Sequence, residues 1–369
     1  MNAKRLLILL FLLVPVVFLS AGGIGDRPSG RTGDTRTITD VLGRVVQIPV
    51  RPERIITLGP GAPRIAAYLD VMDMLVGAER YNAETFTVIR DYNPVHHELF
   101  RTLPLVGSGG GIGNNNAFPE EIIMLAPDLI IAAYTLEAAD ELQRQTGIPV
   151  VSIMHSTGLA PADFYAAMRV FAEAVGVQER CETILAYMDI MLEDLNRRTA
   201  GIPESEKLSA YAGAVTWNGR RGIAGTYSVF GIFDAINARN AAYDPAIPGF
   251  FLADLESIVI WDPDIIFLDP GNMDLVNDEF ASNPGFFNSL RAVREGQVYT
   301  MPSFNFANTN TTYAFINAYY AGTILFPQQF ADINISEKAA EILTMFLGQN
   351  TFNIMAEGGL YYGRITIGN

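Results

Sequence analysis

The sequence predicts an α/β protein of two Rossmann-like lobes, each with a central parallel sheet, bridged by one long rigid α-helix. Three observations indicate this fold class. From Thr37 onward, short apolar runs alternate with segments of helical periodicity, which is typical of parallel sheets covered by helices on both faces. One sequence pattern occurs twice along the chain, and a long helical stretch separates its two copies.

The two lobes are predicted at residues 37–160 and 204–369. In the first lobe, short buried strands are expected at residues 54–58, 75–77, 105–107, 129–132 and 150–154. In the second lobe, strands are expected at residues 209–215, 265–268 and 297–301, and helices at 313–325 and 336–347. Residues 59–63, rich in Gly and Pro, are expected to form the turn between the first of these strands and a helix.

The segment between the lobes, residues 161–203, is predicted to be helical. Pro161 opens it, because proline is favoured at helix starts. Gly176 then interrupts the apolar stripe. The second stretch, residues 178–199, is expected to form a helix of ~33 Å, at about 1.5 Å per residue, that bridges the lobes.

The repeated pattern relates the two lobes to each other. Residues 120–131 and 256–267, which begin 136 residues apart, both read Glu-x-Ile, three apolar residues, one further residue and Pro-Asp, followed by an apolar run. In each copy an amphipathic helix ends before the proline, which disfavours α-helical geometry in the preceding residue, and a buried strand follows. Two copies at equivalent places predict two related halves.

The composition excludes several classes of protein. The chain has 369 residues, 49% hydrophobic and 18% charged, which is enough apolar surface for sizeable cores rather than disorder. Its net charge of −15, without any basic run, argues against nucleic acid as a partner. Cys181 is the single cysteine, so neither an intramolecular disulfide nor a cysteine-based metal site can form. We expect a monomer without a metal site or a resident cofactor.

Residues 1–23 are predicted to be a secretory signal peptide or, if they are not cleaved, a membrane anchor. Lys4 and Arg5 precede an apolar run at residues 6–19, and small residues follow it. This run is shorter than the ~20 residues that a membrane-spanning helix needs, and no cysteine for lipid attachment ends it. Residues 24–36 are interpreted as a flexible tether. The protein is therefore expected outside the cytoplasmic membrane, in the periplasm or on the outer membrane face.

The start of the first lobe resembles a known family. Residues 39–49, TDVLGRVVQIP, and residues 52–58, PERIITL, are similar to the opening of the iron-siderophore and cobalamin class of extracytoplasmic substrate-binding proteins, which serve ABC importers. Residues 103–107, the central helix and the two repeats fit the same class, so the resemblance covers residues 39–330. It implies a ligand held between two lobes, small lobe motion, a membrane permease dimer as partner, and no enzymatic activity.

The resemblance implies a metal chelate as the ligand, with a ferric siderophore favoured. Cobalamin, a nickel or cobalt chelate, haem and a molybdate-type oxyanion remain alternatives. Haem-binding members often carry a tyrosine directly after the strand at residues 105–107, where this sequence has Ser108. A secreted α/β enzyme is a second function class, but the sequence has neither a Gly-x-Ser-x-Gly nor a His-Glu-x-x-His motif. An adhesive surface module is a third class, and it would not require paired lobes.

Ligands of open α/β sheets lie beyond the carboxyl ends of the strands, so the loops there form the candidate site. These loops are residues 59–64, 80–82, 108–116, 134–135 and 155–156 in the first lobe and 216–222, 270–273 and 303–308 in the second. Trp217, Arg220 and Arg221 suit stacking on a chelator and pairing with its carboxylates or hydroxamates. The candidate ligand-binding residues are Arg64, Tyr81, Ser108, Tyr134, His155, Trp217, Arg220, Arg221 and Phe304.

Glu120 and Glu256 lead the two repeats. Pro119 suits the first helical position and Asp254 suits the cap of the second helix, so both glutamates are expected in a first helical turn. Each carboxylate could simply complement its helix dipole. The resemblance implies a second role, which we favour: one exposed glutamate per lobe docks onto arginines of a permease dimer that presents the same basic pocket twice.

Overall fold

The computed structural model describes residues 34–110 and 116–368. The predicted signal peptide and nearly all of the predicted tether lie outside these ranges, as do residues 111–115 of the glycine-rich loop. Within the described ranges, no helix is both long enough and apolar enough to cross a membrane. The first described element is an antiparallel hairpin of β1 (Thr35–Thr39) and β2 (Val45–Pro49).

The sheet of the first lobe is parallel and buried. Its strands are β3 (Ile55–Leu58), β4 (Ala78–Glu79), β5 (Leu105–Gly107), β6 (Leu129–Ala132) and β7 (Val150–Ser152). The order β3-β6-β7 forms one group and β4-β5 the other. A parallel bridge between Leu75 and Ile55 joins the two groups. The strand predicted at 75–77 makes only this bridge, and regular strand pairing starts at Ala78. Every residue of β3 and β6 is buried, as expected for a sheet covered on both faces.

The helices of the first lobe and the linking segment follow the predicted pattern. They are α1 (Ala62–Tyr68), α2 (Arg80–Ala83), α3 (Asn93–Thr102), α4 (Pro119–Leu125), α5 (Leu136–Thr146), α6 (Ala162–Val175) and α7 (Gln178–Thr199). Gly176 closes α6 in the left-handed conformation, with φ of 85°. Helix α7 has the bounds that the sequence predicted, and its predicted apolar stripe is buried, whereas Ile190 on another face is exposed. The buried stripe consists of Cys181, Ile184, Met188, Met191 and Leu195.

The second lobe contains the second parallel sheet. Its strands are β8 (Ser209–Gly213), β9 (Gly225–Tyr227), β10 (Arg239–Asn240), β11 (Phe250–Leu252), β12 (Ile265–Leu268) and β13 (Val298–Thr300). The parallel order is β10-β8-β12-β13, and β9 and β11 form a separate antiparallel pair. The helices are α8 (Gly231–Ala235), α9 (Leu255–Trp261), α10 (Met273–Ser282), α11 (Pro284–Ser289), α12 (Arg291–Arg294), α13 (Thr311–Leu325), α14 (Ile335–Leu347) and α15 (Phe352–Glu357). The predicted α/β architecture is confirmed.

The repeated pattern adopts the same backbone conformation in both lobes. It forms the joints α4–β6 and α9–β12, and the residue before each proline is left-handed, with φ of 45° at Ala126 and 35° at Asp262. The aspartate after each proline accepts a backbone N–H at the start of the neighbouring parallel strand, Asp128 beside β3 and Asp264 beside β8, at 2.8 Å in both lobes. The Pro-Asp pair thus ends a helix and anchors the adjacent strand.

The C-terminal helices join the two lobes. Helix α14 packs on α1, where the ring centroids of Phe346 and Tyr68 are 4.8 Å apart. Arg180 of α7 donates to the backbone carbonyl of Met345 at 2.6 Å. One continuous apolar core contains residues of both lobes and of the linking helices. Helix α14, which lies within the predicted second lobe, therefore contacts both α13 of that lobe and α1 of the first.

Candidate ligand-binding cleft

A cavity of about 470 Å³, which we call the cleft, lies at the carboxyl ends of the strands of both sheets. The first lobe contributes Pro60 after β3, Gly110 after β5 and Thr157 after β7. The second lobe contributes residues 216–220 after β8 and residues 305–308 after β13. Four of the predicted loops therefore line the cleft, and Thr157 lies one residue beyond a fifth, the loop predicted at 155–156. Within the described residues, the loops at 80–82, 134–135 and 270–273 contribute no lining residue.

Arg220 is the one charged side chain among the described residues that line the cleft. Its Nε donates to Asn272 Oδ1 at 3.0 Å, and its Nη2 pairs with the carboxylate of Asp274. The hydrogen bond from Arg220 holds the pKa of Asp274 below its usual range. Because a guanidinium has five N–H donors, Arg220 can form further hydrogen bonds to an anionic ligand while these contacts orient it.

Trp217 lines the cleft and belongs to an aromatic layer behind the second-lobe wall. Its ring stacks on Phe250, with centroids 6.2 Å apart. Phe304 is buried in the same layer and does not line the cleft, contrary to expectation. The guanidinium of Arg221 lies 5.9 Å from the centroid of Phe250, so it faces this layer. Of the two adjacent arginines expected to contact the ligand, Arg220 reaches the cleft and Arg221 does not.

Arg64 lies inside the protein and not at the cleft surface, where we expected it. Its side chain is 1% exposed, and its Nε is 2.8 Å from Oδ1 of the fully buried Asp91. The guanidinium also donates to the backbone carbonyls of Phe306 and Ala307 and to Asn310 Oδ1, at 2.8–3.0 Å. These partners belong to the second-lobe loop beside the cleft. Arg64 therefore connects the lobes and holds that loop in place. Its N–H groups bind partners within the protein and are not offered to a ligand.

Two of the predicted residues, Tyr134 and Tyr81, support the first-lobe wall from behind, and a third, Ser108, is an exposed residue of its loop. The ring of Tyr134 lies under Gly59, where an added Cβ would be 3.2 Å from the ring, and that of Tyr81 lies under Gly109. A Cβ on Gly109 would come within 2.0 Å of Tyr81, so only glycine allows this approach. The hydroxyl of Ser108 donates to the carbonyl of Gly109 at 3.1 Å. These side chains position the loop backbone without lining the cleft.

His155 also points into the protein. It is buried, its Nδ1 lies 2.9 Å from the carbonyl oxygen of Ile153, and its ring packs on Phe164 at 5.2 Å. Burial lowers the pKa of the imidazole, which is therefore neutral at pH 7. In the ranges that the structure describes, no group of three or more His, Cys, Asp or Glu residues could hold a metal ion. His155 thus positions the loop that carries Thr157.

Comparison with known proteins identifies the family. Residues 55–304 match the family model described as periplasmic binding protein. The chain belongs to the periplasmic binding protein family. YvrC of Bacillus subtilis strain 168, an uncharacterised ABC-transporter substrate-binding lipoprotein, is 22% identical to this binding protein over 298 residues, which cover 78% of this chain and 86% of YvrC.

Solved structures share the fold of this binding protein. A periplasmic solute-binding protein from Veillonella parvula DSM 2008 has a TM-score of 0.67 at 19% identity, covering 89% of this chain and 97% of that one. The molybdate periplasmic binding protein MolA of Haemophilus influenzae, bound to molybdate, has a TM-score of 0.65 at 20% identity, covering 85% of this chain and 98% of that one. At these identities the likeness establishes the fold alone.

The binding protein presents cleft residues that the sequence patterns did not single out. Asn218, Asn305 and Asn308 line the cleft, and the backbones of Asn218 and Asn308 are left-handed, with φ of 47° and 69°. Ala307, before Asn308, has φ of 50°. Asparagine enters this conformation more readily than most residues. The three asparagines within residues 305–310 were the signal that could have marked this loop.

A buried carboxyl group lies behind the first-lobe wall of the binding protein. Glu79 ends β4, and its Oε1 accepts the backbone N–H of Gly59 at 3.0 Å. Its Oε2 has no hydrogen-bond partner in the described chain. Burial raises the pKa of Glu79 from its usual 4.5 to about 7, against the opposing effects of the Gly59 N–H and the Arg90 guanidinium. The folded protein therefore holds a proton there at weakly acidic pH.

Glu79→Gln is expected to stabilise the binding protein at about pH 8 and to leave its stability nearly unchanged at pH 4.5. Between pH 4.5 and 7 the folded protein keeps a proton that the unfolded chain releases, so wild-type stability falls as the pH rises through this window. Above pH 7, the free energy of unfolding of the variant should exceed that of the wild type by about 3 kcal/mol, because the amide of the variant never ionises. Urea unfolding at several pH values measures the difference; equal stabilities at the higher pH would contradict the raised pKa.

The two glutamates of the repeats lie on the surface of the binding protein. Glu120 and Glu256 are exposed in the first turns of α4 and α9, as predicted, and neither forms an ion pair with another described residue. Pro119 occupies the start of α4. Asp254 precedes α9, but its side chain makes no capping hydrogen bond, so the expected cap is not formed. Both carboxylates are accessible to a partner.

Proposed function

We propose that this protein is the substrate-binding component of an ABC importer and that it captures a metal chelate, with a ferric siderophore as first candidate, between its lobes. The observation that carries the proposal is Arg220 beside Trp217 on the second-lobe wall of the cleft. A guanidinium next to an indole suits an anionic chelator with planar groups. In this role the protein works outside the cytoplasmic membrane and passes its ligand to the permease.

The lining of the cleft favours a chelate over a bare ion. The described lining consists of amides, hydroxyls, a guanidinium and apolar groups, without His, Cys or carboxylate side chains. A metal would therefore bring its own ligands. The cleft volume of about 470 Å³ lies in the range of ~300–1,000 Å³ that is typical of small-molecule sites. A molybdate-type oxyanion is the second candidate, because MolA binds molybdate and Arg220 offers a cation.

A thermal-shift panel tests the ligand class. Ferric hydroxamate and catecholate siderophores are compared with cobalamin, haem, nickel and cobalt chelates, and molybdate. A ligand at a hundredfold excess over its Kd stabilises the folded state by about 2.7 kcal/mol, so the matching class should raise Tm by several degrees. A shift with molybdate, and none with any ferric siderophore, would replace the chelate by an oxyanion.

Arg220→Ala is expected to weaken the binding of an anionic ferric chelate at least about tenfold, or ~1.4 kcal/mol. Arg221→Ala is the matched control and should leave the affinity nearly unchanged, because its guanidinium lies over Phe250 and not at the cleft. Titration calorimetry with the chelate identified by the panel measures both variants. Equal losses in the two, or none in either, would remove Arg220 from the site.

We further propose that Glu120 and Glu256 dock the protein onto the permease. Their exposure at equivalent positions of the repeat supports this role, since helix-dipole complementarity alone would not require glutamate at the same position twice. Two equivalent carboxylates suit a dimeric partner that presents the same basic pocket in each half.

A further inference from the structure

Two exposed apolar side chains occupy the same position of the repeat. Ile260 and Met124 are 81% and 78% exposed, the highest values for large apolar residues in the described chain. They are 136 residues apart, the spacing of the two repeats. A single exposed apolar residue is ordinary on a protein surface. Met124 and Ile260, however, are the two most exposed large apolar residues of the described chain and occupy equivalent positions in the two lobes, which indicates a shared role.

Each of these residues lies one helical turn after a glutamate of the repeat. Met124 follows Glu120 by four residues on α4, and Ile260 follows Glu256 by four on α9, so each pair shares one helix face. The neighbouring Ile123 and Val259, again equivalent, are exposed as well. Each lobe therefore presents a carboxylate beside an apolar patch on a single helix.

The packing of these helices does not explain the patches. In each helix the core contact is made by the isoleucine at the third position of the repeat, Ile122 in α4 and Ile258 in α9, and both are fully buried. Met124 and Ile260 belong to none of the apolar clusters of the described chain. Their apolar character is therefore available to a partner.

We propose that Met124 and Ile260, with Ile123 and Val259, form the apolar half of a two-part docking surface for the permease dimer, the acidic half being Glu120 and Glu256. This inference rests on the proposed function. Each permease subunit would present a basic side chain beside an apolar pocket. The twofold symmetry of the permease dimer would present this combination once to each lobe. The apolar contact adds affinity, whereas the carboxylates orient the encounter.

Charge favours the permease over a lipid bilayer or a second copy of the chain as the partner that covers these patches. A bilayer with anionic lipids would repel a protein of net charge −15 that presents carboxylates beside its apolar patches. A second copy of the chain would bring glutamates against glutamates, and like charges across an interface are unfavourable. A basic and apolar protein surface complements both halves of the patch.

The test uses a double variant that carries both Met124→Ser and Ile260→Ser. Its binding to the permease, in nanodiscs of phosphatidylethanolamine and phosphatidylglycerol, is compared with that of the wild type. We expect about tenfold weaker binding, from faster dissociation, with an unchanged salt dependence and unchanged affinity for the chelate. The matched control is Val45→Ser with Ile190→Ser, which removes side chains that are 72% and 63% exposed outside the repeat. The control should bind the permease like the wild type.

Several results would overturn the inference. Wild-type affinity in the double variant would remove the apolar half while leaving glutamate docking intact. Binding of the wild type to permease-free phosphatidylglycerol vesicles, lost in the double variant, would identify lipid as the occupant. A wild-type dimer that the double variant cannot form would identify a second copy. Failure of the wild type itself to bind the permease would overturn the proposed function together with this inference, and is distinguishable from the other outcomes.

Discussion

Arg64→Met is expected to lower the free energy of unfolding by about 3–5 kcal/mol. The guanidinium is 1% exposed and pairs with Asp91, so its removal leaves a fully buried carboxylate without a counter-ion. The hydroxyls of Tyr68 and Thr312 still donate to Asp91, but they do not neutralise its charge. Urea unfolding at neutral pH measures the loss.

The matched control for this change is Arg144→Met. Arg144 forms an exposed ion pair with Glu141 on α5, and such pairs contribute about 0–1 kcal/mol. Arg64→Met should also weaken ligand binding, because Arg64 holds the carbonyls of Phe306 and Ala307 beside the cleft. If Arg64→Met and Arg144→Met unfold with the same free energy, the buried pair of Arg64 and Asp91 does not stabilise the fold.

Glu120→Arg combined with Glu256→Arg is expected to abolish stimulation of the transporter's ATPase and uptake of the ligand. Both side chains are exposed, and reversing their charge turns attraction to a basic pocket into repulsion at two sites. The cleft lies elsewhere, so the affinity for the chelate should not change. Each reversal costs about 0.3–1 kcal/mol through the helix dipole, which shifts Tm only slightly. Reconstituted transporter in proteoliposomes measures ATPase activity and uptake.

The control pair reverses the same amount of charge elsewhere. Glu137→Arg with Glu179→Arg changes exposed glutamates in the first turns of α5 and α7, which are not repeat positions. This variant pays the same helix-dipole cost and should transport like the wild type. Full transport by the variant at the repeat positions, or loss of its ligand binding, would show that Glu120 and Glu256 do not dock the permease.

Local sequence by itself determined the elements and the location of the cleft. The bounds of α7 and the break at Gly176 follow from hydrophobic periodicity and a glycine that closes a helix. The repeated helix–strand joints follow from a proline after an apolar stripe. Because ligands lie at the carboxyl ends of parallel strands, alternating strands and helices were enough to predict four of the lining loops.

Only the tertiary structure decided which side chains of those loops face the cleft. Arg64 is buried because Asp91 and Asn310, 27 and 246 residues away in the sequence, supply a carboxylate and an acceptor around it. Arg220 and Arg221 are neighbours in the chain, yet Asp274 holds the first at the cleft while the second lies over an aromatic ring. A charged side chain goes where folding places its partner, and the distant segments that supply those partners leave no mark in the local pattern.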